Sequence, residues 1–103
     1  MYLIREVMYC KPGKVRPMVE KFQEMSRLQQ KAGWGGMRIL TDFAAERYWT
    51  IVAEIEVPDL AKFEASMRGE GMSEEIGKEM EKAMKGYHDL IEFGKREIYK
   101  IES

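Results

Sequence analysis

Arg47-Tyr48-Trp49-Thr50-Ile51-Val52-Ala53-Glu54-Ile55-Glu56-Val57 is the stretch on which the reading of this chain turns. Its odd positions, Trp49, Ile51, Ala53, Ile55 and Val57, form an unbroken apolar row, while Tyr48, Thr50, Val52, Glu54 and Glu56 are mixed. Successive side chains of a strand leave opposite faces of the sheet, so a period of two marks a β-strand. The odd row calls for helices over it. In the even row Tyr48 and Val52 suit open water poorly, and Glu54 and Glu56 suit a dry core poorly. The expectation is a face that lines a chamber closed by a second copy of the chain.

Working outward, Met37 to Phe43 reads as a preceding strand, and Ala44-Ala45-Glu46 is short enough for a hairpin that makes the two antiparallel neighbours. Downstream, Pro58 ends the strand and Asp59 can cap a helix with apolar positions Leu60, Phe63 and Met67. Gly69-Glu70-Gly71 breaks it. Ser73 can cap a longer helix whose stripe runs through Ile76, Met80, Ala83, Met84, Tyr87, Leu90 and Ile91 and is stopped by Gly94. Arg96 to Glu102 then forms the last strand.

At the other end, Tyr2 to Cys10 is a strand closed by Lys11-Pro12-Gly13, because proline cannot continue a ladder and glycine permits the turn. Val15, Met18, Val19, Phe22, Met25 and Leu28 recur at helical spacing from Lys14 to about Lys31, with a stop at Gly33. Gly33-Trp34-Gly35-Gly36 lacks the Lys-Ser/Thr of a phosphate loop and follows a helix instead of opening one, so a turn is expected, with Trp34 closing the end of the core. The order is β-α-β-β-α-β. Two right-handed crossovers place both helices on one face of an antiparallel sheet with the first and third strands central, a ferredoxin-like α+β domain spanning residues 1–103.

Composition narrows the functions. A net charge of −1, from 17 basic and 18 acidic residues, supplies no electrostatic reason for nucleic acid or an anionic membrane as partner. The β-α-β-β-α-β order is shared by RNA-binding modules, but their Gly-rich signature is absent and the central strand carries Glu54 and Glu56. The uncharged runs are too short to span a bilayer, and Met1 to Glu6 meets a charge too early for a secretion signal. Cys10 is the only cysteine, so no internal disulfide exists, Cys-rich metal sites are excluded and a cytoplasmic protein is expected. At the end of an apolar strand it reads as a small buried hydrophobe. Six of the nine methionines lie in or beside the expected helices as core filler, not metal ligands.

Tyr2, Ile4, Glu6, Met8 and Cys10 alternate with Leu3, Arg5, Val7 and Tyr9, and each set is mostly apolar with one charge. A sheet apolar on both sides in so short a chain implies a second sheet from a partner, hence a homodimer through the sheet face. The strand running into Lys11-Pro12-Gly13-Lys14-Val15, the aromatic third strand followed by Pro58-Asp59, the broken second helix and the closing Gly94-Lys95-Arg96-Glu97-Ile98-Tyr99 together resemble the dimeric α+β barrel superfamily and, within it, NIPSNAP-like small proteins. The resemblance implies two ferredoxin-like sheets packed face to face into a barrel, with a cavity between sheet and helices in each subunit. It implies no single chemistry.

Site candidates follow from residue types. Glu54 and Glu56 share a strand face about 7 Å apart. With Tyr48, and near Arg5, Arg38 or Arg96, they could hold a polar ligand or move a proton, or the same groups could simply pair with one another. His88 is the only histidine and a potential general base or haem ligand, set one step off the buried stripe. Haem-degrading members of the superfamily use an asparagine on the first strand, and this chain has no asparagine. Three readings remain: a homodimeric barrel protein that binds a small apolar ligand, a cofactor-independent monooxygenase or isomerase tested at Tyr48, Glu54 and His88, and a structural module with a filled interior. No cofactor or metal is expected.

Overall fold

Branched and aromatic residues in alternation carry Tyr2–Cys10 (β1) and Thr50–Val57 (β3) through the middle of a four-stranded antiparallel sheet, in a computed structural model that describes residues 1–103. Arg38–Thr41 (β2) flanks β3 and Ile91–Lys100 (β4) flanks β1, for an order β2-β3-β1-β4. The connections hold helices Val15–Lys31 (α1), Leu60–Met67 (α2) and Glu74–Met84 (α3) and a 3-10 turn at Tyr87–Asp89. This is the expected α+β order with the first and third strands central. The second crossover is divided by Gly69-Glu70-Gly71. Asp59 Oδ1 accepts from the Ala61 amide at 2.8 Å and Ser73 Oγ from the Ile76 amide at 3.2 Å, so both helix starts are capped as their sequences suggest.

Register assigns the faces. Met8 lies opposite Ile51 and Ile4 opposite Ile55, and this side meets α1 in a core of Cys10, Met18, Val19, Phe22, Ile51 and Ala53. The opposite side carries Arg5 beside Glu54, Val7 beside Val52 and, on β4, Phe93, Lys95, Glu97 and Tyr99. The alternation of β3 thus sorts as read, with Ile51 and Ala53 buried under the helices and Val52, Glu54 and Glu56 on the other face.

Three boundaries differ from the sequence reading. The strand begins at Thr50, which leaves Tyr48 85% exposed in a loop and Trp49 at φ +61° outside the apolar row. Asp42 causes this: its Oδ1 accepts from the Thr50 amide at 2.9 Å and its own amide donates to the Thr50 carbonyl at 3.2 Å, so the hairpin closes there. The preceding strand runs only from Arg38 to Thr41, and the loop is correspondingly longer than Ala44-Ala45-Glu46. Last, α3 ends at Met84 and the chain re-enters the sheet at Ile91, so Gly94 is a strand residue and not a helix stop. Its lack of a side chain admits Met8: a Cβ there would sit 2.5 Å from Met8 Sδ and 3.1 Å from the Val7 carbonyl oxygen. Tyr87, Leu90 and Ile91 still pack on the core, from the 3-10 turn, the residue that follows it and the start of β4.

Candidate functional site

A cleft opens where β2 parts from β3. Met37, the residue before β2, donates its amide to Ser26 Oγ of α1 at 3.0 Å, and the ladder with β3 goes no further than Arg38 opposite Glu54. Gly36 lies against the same helix, so close that an added Cβ would overlap the Gln30 side-chain amide and stand 2.8 Å from Ser26 Oγ. The loop is thereby drawn toward α1 and away from β3. On the far side stands α2, none of whose residues is buried. The space between measures about 880 Å³, within the range of small-molecule sites. Its floor is Ile55 and Val57, its walls Trp34 and the glycines around it on one side and Lys62, Phe63 and Met67 on the other.

Trp34 does not seal the core as its sequence setting suggests. It is 38% exposed and lines the cleft mouth. Neither it nor Phe63, Met67 and Lys62 stood among the sequence candidates. The available signals were an aromatic set among glycines and a short helix isolated between Pro58 and Gly69.

The charged candidates sort into two groups. Arg5, Arg38, Glu54 and Glu97 form one network on the sheet face away from the helices. Glu54, with its side chain only 10% exposed, accepts from Arg38 Nη2 at 2.5 Å and Nε at 3.2 Å, and stands 2.9 Å from Arg5 Nε as an ion pair outside hydrogen-bond geometry. Arg5 Nη1 donates to Glu97 at 3.3 Å. Its hydrogen bonds to Glu54, and then the Glu54 charge, raise Arg38 above the usual guanidinium value. Glu56, at the cleft, has no ion-pair partner. Arg96 lies on the helix side of β4, where it pairs with Glu6 and sets its guanidinium 5.5 Å from the Phe63 ring centroid, behind the cleft wall.

Tyr48 and His88 belong elsewhere. His88 is exposed on the 3-10 turn and stacks on Tyr87 with centroids 3.9 Å apart, near Cys10. The cleft lies at the other end of the sheet, about 20 Å along β3 from Thr50. The structure therefore brings Glu54, Arg5 and Arg38 together, places Glu56 beside them, and joins neither Tyr48 nor His88 to that set. Cys10 is buried, and burial first, with Asp42 second, pushes its thiol up, the opposite of an activated nucleophile. No three His, Cys, Asp or Glu side chains converge on a metal-sized site, and no helix is long and apolar enough to cross a membrane.

No protein-family model and no curated protein sequence matches the chain. Solved structures do. An uncharacterised NIPSNAP domain protein from Burkholderia xenovorans superposes with a TM-score of 0.75 at 11% identity, over 100% of this chain and 96% of that one. The fold is NIPSNAP-like. A NIPSNAP-like domain protein from the same organism gives 0.74 at 14% identity, over 99% and 85%. A protein from Agrobacterium tumefaciens gives 0.72 at 18% identity, over 97% and 92%. At such identities the likeness concerns the path of the backbone; the cleft and its side chains are described for this chain alone.

Proposed function

We propose that the chain is a homodimeric ligand-binding protein whose cleft between β3, the Trp34 loop and α2 takes a small molecule with an apolar body. The cleft carries this reading: Ile55, Val57, Phe63, Met67 and Trp34 offer apolar contact, and Glu56 is a charged group left free to orient a ligand. The sheet face away from the helices supports the dimer. Leu40, Phe93 and Tyr99 are exposed there, while its charges, Arg5, Arg38 and Lys95 against Glu54, Glu56 and Glu97, balance in number. A second copy would meet no net charge. At about 25 cal/mol per Å², covering several hundred Å² contributes on the order of 10 kcal/mol before association costs. A lone buried thiol fits a cytoplasmic setting.

Monooxygenase or isomerase chemistry through Tyr48, Glu54 and His88 has no observation in its favour, because Glu54 is held by two arginines and the other two lie at the far end of the sheet. Native mass spectrometry of the protein from its own host, with fluorescence titration of the apolar dye 1-anilinonaphthalene-8-sulfonate into the wild type and Phe63→Ser, tests the binding reading. The expected result is a retained small molecule and dye binding that Phe63→Ser weakens; dye binding unchanged by that substitution would refute the cleft. Light scattering at low micromolar concentration tests the dimer, and a particle of the single-chain mass of 12.1 kDa would refute it.

A further inference from the structure

We propose that β4 is a self-pairing edge, along which two copies of the chain join antiparallel about a two-fold axis at Arg96. β4 borders the sheet and has β1 as its only neighbour. Its residues 92–96 and 98–100 are all exposed, so no other element covers its length. Ile101 donates its amide to the Met1 carbonyl at 3.0 Å, which makes Met1 and Ile101 a bonded pair. Bonded and non-bonded pairs alternate along an antiparallel ladder, so in the register from Leu3 opposite Tyr99 to Tyr9 opposite Phe93 the odd residues of β4 bond β1. Gly94, Arg96, Ile98 and Lys100 therefore turn their amide and carbonyl groups outward, with no partner. An edge of this kind is a template for another strand.

Exposed edges are ordinarily blocked by a bulge, a proline or a charge. The one irregularity of the β1–β4 ladder lies between Tyr9 and Cys10, at the start of β4, and residues 93–100 contain neither a bulge nor a proline. Charge is left, and here it selects a register. Antiparallel pairing about Arg96 sets Phe93 opposite Tyr99, Gly94 opposite Ile98 and Lys95 opposite Glu97, each twice by symmetry. Paired rings and paired opposite charges are favourable across strands. Phe93, Ile98 and Tyr99, each about half exposed in the single chain, gain cover, and Ile98 meets a residue with no side chain to obstruct it. Arg96 faces Arg96, but each is already bonded to Glu6 of its own chain, so the centre carries no net charge. Glu97 already holds Arg5 and Lys95 of its own chain at 3.3 and 3.7 Å, so the charges fix the alignment more than the affinity. Sliding one copy by two residues brings Lys95 against Lys95 or Glu97 against Glu97. About six backbone hydrogen bonds, through Gly94, Arg96 and Ile98 of each copy, hold the joint. They lie in the plane of the sheet, apart from the face that the proposed dimer covers.

Three variants, Lys95→Cys, Arg96→Cys and Glu97→Cys, oxidised at micromolar concentration and run on non-reducing gels, test the axis, with the wild type and its buried Cys10 as the blank. Opposed residues of a bonded pair lie about 5.5 Å apart, within disulfide reach, whereas residue 95 or 97 stands diagonal to its own copy at about 7–8 Å, beyond it. Expected is a cross-linked pair of chains at position 96 alone. Ile98→Pro removes an amide hydrogen that faces outward, so circular dichroism should show the fold kept while sedimentation equilibrium shows association through the edge weakened at least about tenfold. A cross-link at 95 or 97, none at 96, or self-association unchanged in a folded Ile98→Pro would overturn the proposal; if Ile98→Pro does not fold, the cysteine series decides. A dimer that persists without the cross-link at 96 removes the edge and leaves the face. A cross-link at 96 with Ile98→Pro reduced to single chains removes the face and leaves the edge.

Discussion

Helices α1 and α2 occupy the same layer of this fold and do opposite things in it. α1 buries Met18, Val19, Phe22, Ser26 and Leu28, and its apolar spacing is matched by Cys10, Ile51 and Ala53 on the sheet. α2 has an apolar set of its own in Leu60, Phe63 and Met67, yet none of these is buried. One helix makes the core and the other makes a wall. The difference lies in what each meets: α1 packs on Ile51 and Ala53, where β3 is paired with both β1 and β2, whereas α2 stands over the end of β3, where β2 has already turned away.

Core truncation separates the two most sharply. Leu28→Ala should destabilise by about 2–5 kcal/mol, from lost transfer energy plus a cavity, while Met67→Ala should stay within about 0.5 kcal/mol as an exposed change. Urea unfolding of both variants checks this, and a Met67→Ala cost as large as that of Leu28→Ala would erase the distinction. Ser26→Ala leaves the Met37 amide without its acceptor at a half-buried position, for an expected loss of about 1–3 kcal/mol in the same assay.

A subtler test concerns where a loss is felt. Asp59→Ala removes the cap of α2, worth about 0.5–2 kcal/mol to a helix. If α2 opens on its own, hydrogen exchange in residues 60–67 should quicken by that amount while the urea midpoint stays put. A matching fall in the midpoint would mean that α2 unfolds only with the core.

The smallest effect belongs to the exposed side of α1, where Arg27 hydrogen-bonds Glu24 at 2.5 Å and holds its carboxyl below the ordinary value. A lowered folded pKa contributes stability above the unfolded value, and that contribution is lost as pH falls through the folded one. Glu24→Gln should therefore lower the melting temperature slightly at pH 7 and leave it unchanged in strong acid.

Much of this architecture is legible residue by residue. The period-two rows of β1 and β3, the three- and four-residue steps of α1, and the caps Asp59 and Ser73 all act through near neighbours in the chain, so they can be read without knowing the fold. Where the reading failed, a distant partner intervened. Asp42 closed the hairpin on Thr50 and removed Tyr48 and Trp49 from the strand. Gly94, read as a helix stop, is a strand residue whose missing side chain admits Met8. The helical spacing of Tyr87, Leu90 and Ile91 continued past the true helix end because the core accepts apolar residues from any element that reaches it.

The site divides the same way. That Glu54 and Glu56 share a face follows from alternation alone, whereas that Arg5 and Arg38 join them follows from the pairing of their strands with β3. That Arg5 and Arg38 neutralise Glu54 and leave Glu56 free depends on the register of three strands, and that a cleft lies beside them depends on the bond between Ser26 and Met37. The amino-acid order by itself determined the sequence of strands and helices and which way β3 faces, because those preferences are set within a few residues. Tertiary structure alone decided which charges are paired and where the sheet is left unzipped, because both depend on contacts between segments far apart in the chain.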